Sequence, residues 1–387
     1  MAKKFRLAYT AAALIPLSVL AAACGSSSPT PSSSGSSSPA AAAMVGAALP
    51  TAPAKTAETI TETGSSLLYP LMGTWTSAYQ KQFVDSSGAP LVTIETGSTG
   101  SGTGITDAST GTINIGASDA YLSSSDLQTY PSMENIALAI SAQQINYNLP
   151  TVKKPLKLDG TVLAEMYSGK ITKWNDPAIA ALNPGVSLPA IPVVPLHRAD
   201  SSGDTFLFTS YLNAQDPSGW SSSNINTSIS WPTVSGALAE TGNGGMVTGC
   251  QATKGCIAYI GISYLAKTQA AGLGQAVLKN GAGQYEAPTP ATISAEANAM
   301  TSKTPANETL SMINANASGG YPIVNYEYAI VNKKQPNGTA AEDIRAFLYW
   351  TVHTGQSGTN YLEAVDFQPL PSSVVTLSDN QIAKIGA

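Results

Sequence analysis

Three glycine- and serine-rich segments carry the side chains best suited to chemistry. They are T-G-S-S-L-L-Y-P-L-M-G-T-W (63–75), T-G-S-G-T-G-I (99–105) and H-R-A-D-S-S-G-D-T-F-L-F-T-S-Y-L (197–212). Each follows an extended run and opens a helix-like one. Backbone N–H groups at a helix start, with the positive end of the macrodipole behind them, form a site for a small anion. Serine hydroxyls add donors, and glycine lets the main chain approach without a Cβ in the way. Arg198 supplies a fixed charge whose fork matches a tetrahedral oxyanion. Any one such segment is also what an ordinary capped helix or turn looks like. Three of them with an arginine make a set.

The elements that must position this set alternate in type. L-V-T-I-E-T (91–96), I-N-I-G-A-S-D (113–119), I-P-V-V-P-L (191–196) and C-I-A-Y-I-G-I (256–262) are short β-branched runs, whereas 206–212 and 340–352 carry helical spacing. The alternation predicts an α/β fold with helices packed on central sheets. No repeat of 20 to 50 residues is present.

Composition limits the partners. The 387 residues carry 19 Lys plus Arg against 24 Asp plus Glu, with 43% hydrophobic residues. A net charge of −5 gives no bulk attraction for nucleic acid. Lys3, Lys4 and Arg6, an apolar run from Leu7 to Leu20 and three alanines before Cys24 read as an export signal over residues 1–23. Cleavage before Cys24 leaves a thiol for lipidation, although Leu20 stands one place earlier than a lipoprotein signal usually has it. A secretory signal cut within the alanines is the alternative. Either sends the chain out of the cytoplasm, and loss of those three cations takes the net from −5 to −8.

Residues 25–54 contain no charged side chain and are rich in Ser, Pro and Ala. Such a stretch buries too little to repay its ordering entropy and is expected to be a tether, 24–57 in all, reaching roughly 30 Å. Nothing after the signal is long enough to span a membrane, so an acyl chain on Cys24 is the expected attachment. Of the remaining cysteines, Cys250 and Cys256 lie close together in T-G-C-Q-A-T-K-G-C. Outside the cytoplasm they read as a disulfide clamping a loop. A metal site is disfavoured because no His or further Cys lies nearby to complete a ligand set, and no cofactor is expected.

An enzyme is the rival class, most plausibly a secreted serine hydrolase or phosphatase. No nucleophile elbow stands at a strand-to-helix turn, no Walker loop is present, and only His197 and His353 are available as bases. His197 flanks the third segment, and His353 sits in an apolar helix.

With I-N-I-G-A-S-D-A-Y-L-S (113–123), M-Y-S-G-K-I-T-K-W-N-D-P-A-I-A-A-L-N-P-G (166–185), G-N-G-G-M-V-T-G-C (242–250) and Y-P-I-V-N-Y-E-Y-A-I-V-N (321–332), the three segments make the chain resemble a known family. It is similar, from about Glu62 to the C-terminus, to the phosphate-binding lipoprotein of the bacterial phosphate-specific ABC transporter, in its mycobacterial and actinobacterial branch. The resemblance implies an α/β, two-lobed fold of the type II periplasmic-binding-protein kind, each lobe a central β-sheet flanked by helices. Residues 58–141 plus 325–387 would build lobe I and 142–324 lobe II. It also implies inorganic phosphate as ligand and the permease subunits of an importer as partners.

Carried over by motif, Ser65, Ser66 and the backbone of Leu67 form the first binding loop and Ser101 the second. Asp119 belongs to G-A-S-D, and Arg198, Ser202, Gly203 and Asp204 to the third loop. Enterobacterial relatives have threonine where this chain has Asp204, so here a carboxylate replaces a donor. Capping of a helix that starts at Thr205 is the competing role for Asp204.

The chemistry agrees with the resemblance. An acidic protein must hold an anion by short, directed contacts in a dry cleft. A carboxylate such as Asp119 belongs there only when the ligand brings a proton for it to accept. Phosphate does at neutral pH and sulfate does not, and a mismatch of that kind can exclude an analogue by about 10⁴ to 10⁵. Arsenate shares the geometry and the proton.

Overall fold

A computed structural model of the protein describes residues 48–55 and 58–386. The expected signal, Cys24 and the tether up to residue 47 lie outside the described residues. The end of the expected tether is held by the body: Pro53 is buried and the Ala54 amide donates to Asp343 Oδ1 at 2.6 Å. The folded part therefore reaches back beyond Glu58, because a backbone donor there finds a partner on a helix 289 residues away.

Numbered along the chain, the strands are β1 Glu58–Gly64, β2 Val92–Thr96, β3 Ile115–Ser118, β4 Met133–Tyr147, β5 Lys157–Leu158 and β6 Val194–Arg198, then β7 Leu238–Glu240, β8 Cys256–Gly261, β9 Gly274–Gln275, β10 Val277–Lys279, β11 Tyr285–Glu286 and β12 Val324–Asn332. The main sheet runs β2-β1-β3-β12-β4-β8-β6-β7, with β9 paired to β4, and β11-β10-β5 form a small second sheet. Two parallel groups lie at its ends, β2-β1-β3 and β8-β6-β7. Between them runs the antiparallel pair β12 and β4. Each parallel group needs crossover helices to return the chain to the same end of the sheet, which is why strand and helix alternate in the sequence.

β4 joins the two groups. Nine of its first ten residues pair with β12, Leu138 being passed over, and its last five pair with β8. All fifteen are buried, Glu134, Asn135, Ser141, Gln143, Gln144 and Asn146 among them. With both faces covered there is no alternation of apolar and polar residues to read, and its amides interrupt what would otherwise be an apolar run.

Two helical packs fill the core. Beside the first group, Tyr79 of helix Tyr69–Gln82 meets Phe347 and Trp350 of helix Gly338–Val352 edge-on, ring centroids 5.2 and 5.6 Å apart. Beside the second, Phe208 of helix Gly203–Gln215 stacks on Tyr259 of β8 at 4.7 Å. Such rings each bury 150 to 250 Å², which fixes the helices against the strands and hence the loops that join them.

Cys250, in helix Gly242–Ala252, is bonded to Cys256, the first residue of β8, across a sequence separation of 6. A ring this short contributes about 2 kcal/mol by loop closure. The double variant Cys250→Ser, Cys256→Ser is expected to lose about that much stability in urea denaturation, with the m-value little changed.

Candidate functional site

The three glycine–serine segments do follow strands and open helices. The first joins β1 to helix Tyr69–Gln82, the second joins β2 to helix Ser101–Thr110, and the third joins β6 to helix Gly203–Gln215. Asp119 follows β3 directly, and helix Gly242–Ala252 follows β7. All five positions are carboxyl ends of parallel strands, where open α/β sheets bind their ligands.

In the first loop, Ser65 Oγ accepts from the amides of Leu67 and Leu68 at 3.0 and 2.9 Å and donates to Asp119 Oδ1. It thus closes the turn that leads into the helix and touches the carboxylate at once. The Leu67 amide is engaged by Ser65, while its side chain is buried against Gly261. Ser66 Oγ accepts from the backbone amide and the side-chain Nδ2 of Asn243, both at 3.0 Å. Loop one is thereby joined to helix Gly242–Ala252.

In the second loop, Gly100 caps its helix with a φ of 97° and no side-chain hydrogen bond. A Cβ at Gly100 would lie 2.6 Å from the Ser201 carbonyl, so only glycine fits. Ser101 begins the helix; its Oγ donates to Asp119 Oδ2 and accepts from the Asp119 amide, each at 3.3 Å. Asp119 thus faces the positive end of this helix.

In the third loop, Arg198 ends β6 and is 4% exposed. Its Nε donates to Asp200 Oδ1 at 2.7 Å, one terminal nitrogen donates to Asp200 Oδ2, and the other reaches Asp204 Oδ2 at 2.8 Å. Three of the five guanidinium N–H groups are so committed, which leaves two for another acceptor. Ser202, not Asp204, caps the helix: its Oγ accepts from the Asp204 amide at 3.1 Å, and the helix starts at Gly203 rather than Thr205. Gly203 sits against Asp119 and Ser101, where a Cβ would come within 2.6 Å of the Asp119 carboxylate.

Asp204 is wholly buried. It accepts from Arg198, from Gln143 Nε2 at 3.0 Å and from Asn243 Nδ2 at 2.7 Å. Three of about four acceptor positions of that carboxylate are filled.

All nine residues expected to bind the anion therefore lie in or beside one buried cluster. Sequence reading passed over Asp200, Asn243, Gln143 and Glu327. Asp200 carries a local signal, since it stands two residues after the arginine it clamps. The other three come from β4, β12 and helix Gly242–Ala252, and no local pattern points to them.

The electrostatics follow from burial. Desolvation, then the charge of Asp204, push the Asp119 carboxyl up to about 7, against hydrogen bonds with Glu327 and Ser65 and the charge of Arg198. Burial also raises Asp204, although Arg198, Gln143 and Asn243 oppose it. For Arg198 burial works against the charge, but the hydrogen bond to Asp200 and the charges of Asp204 and Asp200 outweigh it and keep the guanidinium protonated. Asp200, half-buried, feels some desolvation yet is held below the usual carboxylate range by that same guanidinium.

Neither histidine is placed beside a serine of this cluster. His197 stacks on Trp231 at 5.0 Å, and His353 ends a helix with Nε2 3.0 Å from Asp379. Among the described residues, no group of three or more His, Cys, Asp or Glu side chains is placed to hold a metal ion. No helix among them is long and apolar enough to cross a membrane.

A family model described as the PBP superfamily domain matches residues 49–354. The phosphate-binding protein PstS of Haemophilus influenzae is 31% identical over 334 residues, 86% of this chain and 95% of the relative. The phosphate-binding protein PstS 2 of Mycobacterium tuberculosis is 30% identical over 306 residues, 73% of this chain and 77% of the relative. Among solved structures, the phosphate-binding protein from Stenotrophomonas maltophilia matches with a TM-score of 0.63 at 20% identity, over 83% of this chain and 93% of that one. A high-affinity periplasmic phosphate-binding protein bound with phosphate matches with a TM-score of 0.62 at 23% identity, over 82% and 92%. The α/β arrangement of strands and helices is the fold of these binding proteins. Spanning nearly the whole folded part, the matches show that the chain belongs to the PBP superfamily and, within it, to the PstS phosphate-binding proteins.

Proposed function

We propose that this chain captures one inorganic phosphate ion between its two sheet halves, outside the cytoplasm, and delivers it to the permease subunits of an ABC importer. The observation that carries the reading is the burial of Asp119 and Arg198 in one cluster with the hydroxyls of Ser65, Ser66, Ser101 and Ser202. The cationic fork gives the anion its charge partner, the serines and the helix start at Ser101 give neutral donors, and Asp119 accepts the hydrogen that only a protonated oxyanion carries. Binding, rather than hydrolysis, fits a cluster in which no serine has a histidine to activate it. Arsenate would satisfy the same contacts, whereas sulfate would leave Asp119 facing an acceptor.

In this reading the lobes are residues 58–141 plus 325–387 and residues 142–324, with the chain crossing at Ser141 and Asn325. Those two residues are register partners on β4 and β12, and Ser141 Oγ, with one hydrogen to share between Asn325 and Glu327, lies 2.8 Å from Asn325 Oδ1. Hinge motion at two adjacent strands would part the Gly203 loop from Asp119 and admit the ion. Cys24, acylated, would tether the protein to the outer face of the cell membrane.

Three outcomes test the reading. Asp119→Asn should weaken phosphate binding about 10- to 100-fold, the loss of a charged hydrogen bond, and should relax rejection of sulfate in competition calorimetry; unchanged selectivity would remove Asp119 from its role. Arg198→Ala leaves Asp200 and Asp204 buried without their cation and should abolish measurable binding in protein that still gives a folded circular dichroism spectrum. Retained micromolar affinity would place the anion elsewhere.

The third outcome concerns pH. Two carboxylate-to-oxyanion contacts hold one proton each. The raised Asp204 and the free ligand release protons as pH rises, whereas Asp119 is the acceptor and needs none of its own. Binding in alkali must take those protons back, so affinity falls above about pH 7, by up to tenfold per pH unit for each proton taken up. Asp204→Asn should flatten that fall. Calorimetry between about pH 6 and 9 showing equal slopes for the two proteins would exclude Asp204 as a second acceptor.

A further inference from the structure

Resting on the site reading above, one more residue enters the recognition of the ligand's proton. Register on the edge between β12 and β3 pairs Tyr328 with Ser118, so Glu327 falls across from Asp119, one step beyond the last paired rung. On the other edge of β12 the register against β4 shifts between Glu327 and Tyr328, where Leu138 is passed over. A shift of that kind re-aims a side chain, as bulges beside binding sites commonly do. Glu327 is completely buried and its carboxyl meets that of Asp119.

The surroundings of the two carboxyls differ. Glu327 Oε1 accepts from Ser141 Oγ at 2.5 Å and from Asn325 Nδ2 at 3.0 Å, while no protein donor among the described residues reaches Oε2. Asn325 Nδ2 also lies 3.4 Å from the Asp119 carbonyl, so one amide orients both residues. Asp119 has two serine donors, from loops one and two, and the charge of Arg198 from loop three. Asp204 is the further anion facing it. For Glu327 the leading charge influence is the anionic Asp119.

Two carboxyls in contact in a dry interior cannot both ionise, and one proton lies between them. It resides on the partner with the weaker stabilisation of negative charge, which is Glu327. Burial, then the Asp119 charge, raise the Glu327 carboxyl well above the usual range.

We propose that Glu327 is a neutral hydrogen-bond donor to Asp119, a positioning residue that keeps Asp119 ionised and aimed so that its remaining acceptor position is available for the ligand's hydrogen. The proton stays on Glu327 Oε2 throughout binding, and none is transferred to the ligand. Discrimination between phosphate and sulfate then depends on a residue that touches neither ion. Without the donor, Asp119 gains the proton, becomes a donor itself and accommodates the unprotonated anion it is meant to refuse.

The test compares Glu327→Gln with Glu327→Leu. The amide of the first can still give a hydrogen to Asp119 and accept from Ser141 and Asn325, so it should keep phosphate affinity within about threefold and leave sulfate excluded. The second should bind phosphate roughly 10-fold or more weakly, bind sulfate at least about 100-fold better relative to phosphate, and shift the pH profile of affinity upward. Wild-type selectivity in a folded Glu327→Leu protein overturns the proposal. So does a downward shift of the pH profile in Glu327→Gln, which would mean that a negative charge had been removed.

Infrared spectroscopy of ligand-free protein at about pH 7 supplies a reading that needs no anion. The wild type should show the carbonyl absorption of a buried protonated carboxyl that Glu327→Gln lacks, and absence of that difference band overturns the proposal even if the leucine variant does not fold. A difference band present in protein that binds no phosphate would retain the protonation state and reject the ligand assignment instead.

Discussion

Arg198 is the one cation among the buried groups of the cluster, and around it Asp119, Asp200, Asp204 and Glu327 bring four carboxyls. That imbalance governs the rest. A cavity meant for an anion would repel it if every carboxyl were ionised, and charges taken out of water must be paired or neutralised. Protons therefore become part of the structure. Asp200 is consumed in clamping the guanidinium, Asp204 shares that cation with two amide donors, and in the proposal above Asp119 and Glu327 have one proton between them. A ligand that arrives with its own hydrogen completes the balance; one without it leaves a surplus of negative charge.

The sheet exists in this form because the groups must come from many parts of the chain. Two parallel units each present the carboxyl ends of their strands, with helix starts behind them, and β4 with β12 holds the units in one continuous sheet. The positive helix ends contribute donors without contributing full charge. Glycines at 100 and 203 allow the loops to touch at distances that a side chain would forbid. Helix Gly242–Ala252 closes the far side, with Asn243 reaching Ser66, Asp204 and the Gly261 amide together. Its end is joined to β8 by the disulfide, so the element that links the first and third loops is itself restrained.

Much of this was legible locally. The strands at 92–96, 115–118 and 256–261 and the helices at 203–215 and 338–352 lie where β-branched runs and helical spacing put them. The three segments are strand, glycine–serine turn and helix in immediate succession, and that succession is written along the chain. β4 was not legible, because a strand buried on both faces has no alternation and this one carries glutamine and asparagine in its interior. For the third helix Asp204 was a cap only in the competing reading; Ser202 and Asp204 are both good caps, and only backbone geometry shows that the serine takes the role.

What the sequence determined alone was the inventory: an acidic chain, three anion-type loops, an arginine beside the third of them and a carboxylate that makes sense only against a protonated ligand. Those are properties of residue type and local spacing, which physics fixes within a few residues of chain. Only the tertiary structure decided how the negative charges share their protons. Asp119 and Glu327 are 208 positions apart, yet they meet in the same buried space, and the protonation of a carboxyl depends on desolvation and on neighbours through space. No arrangement along the chain encodes that distance, so the identity of the acceptor and of its donor is a result of folding.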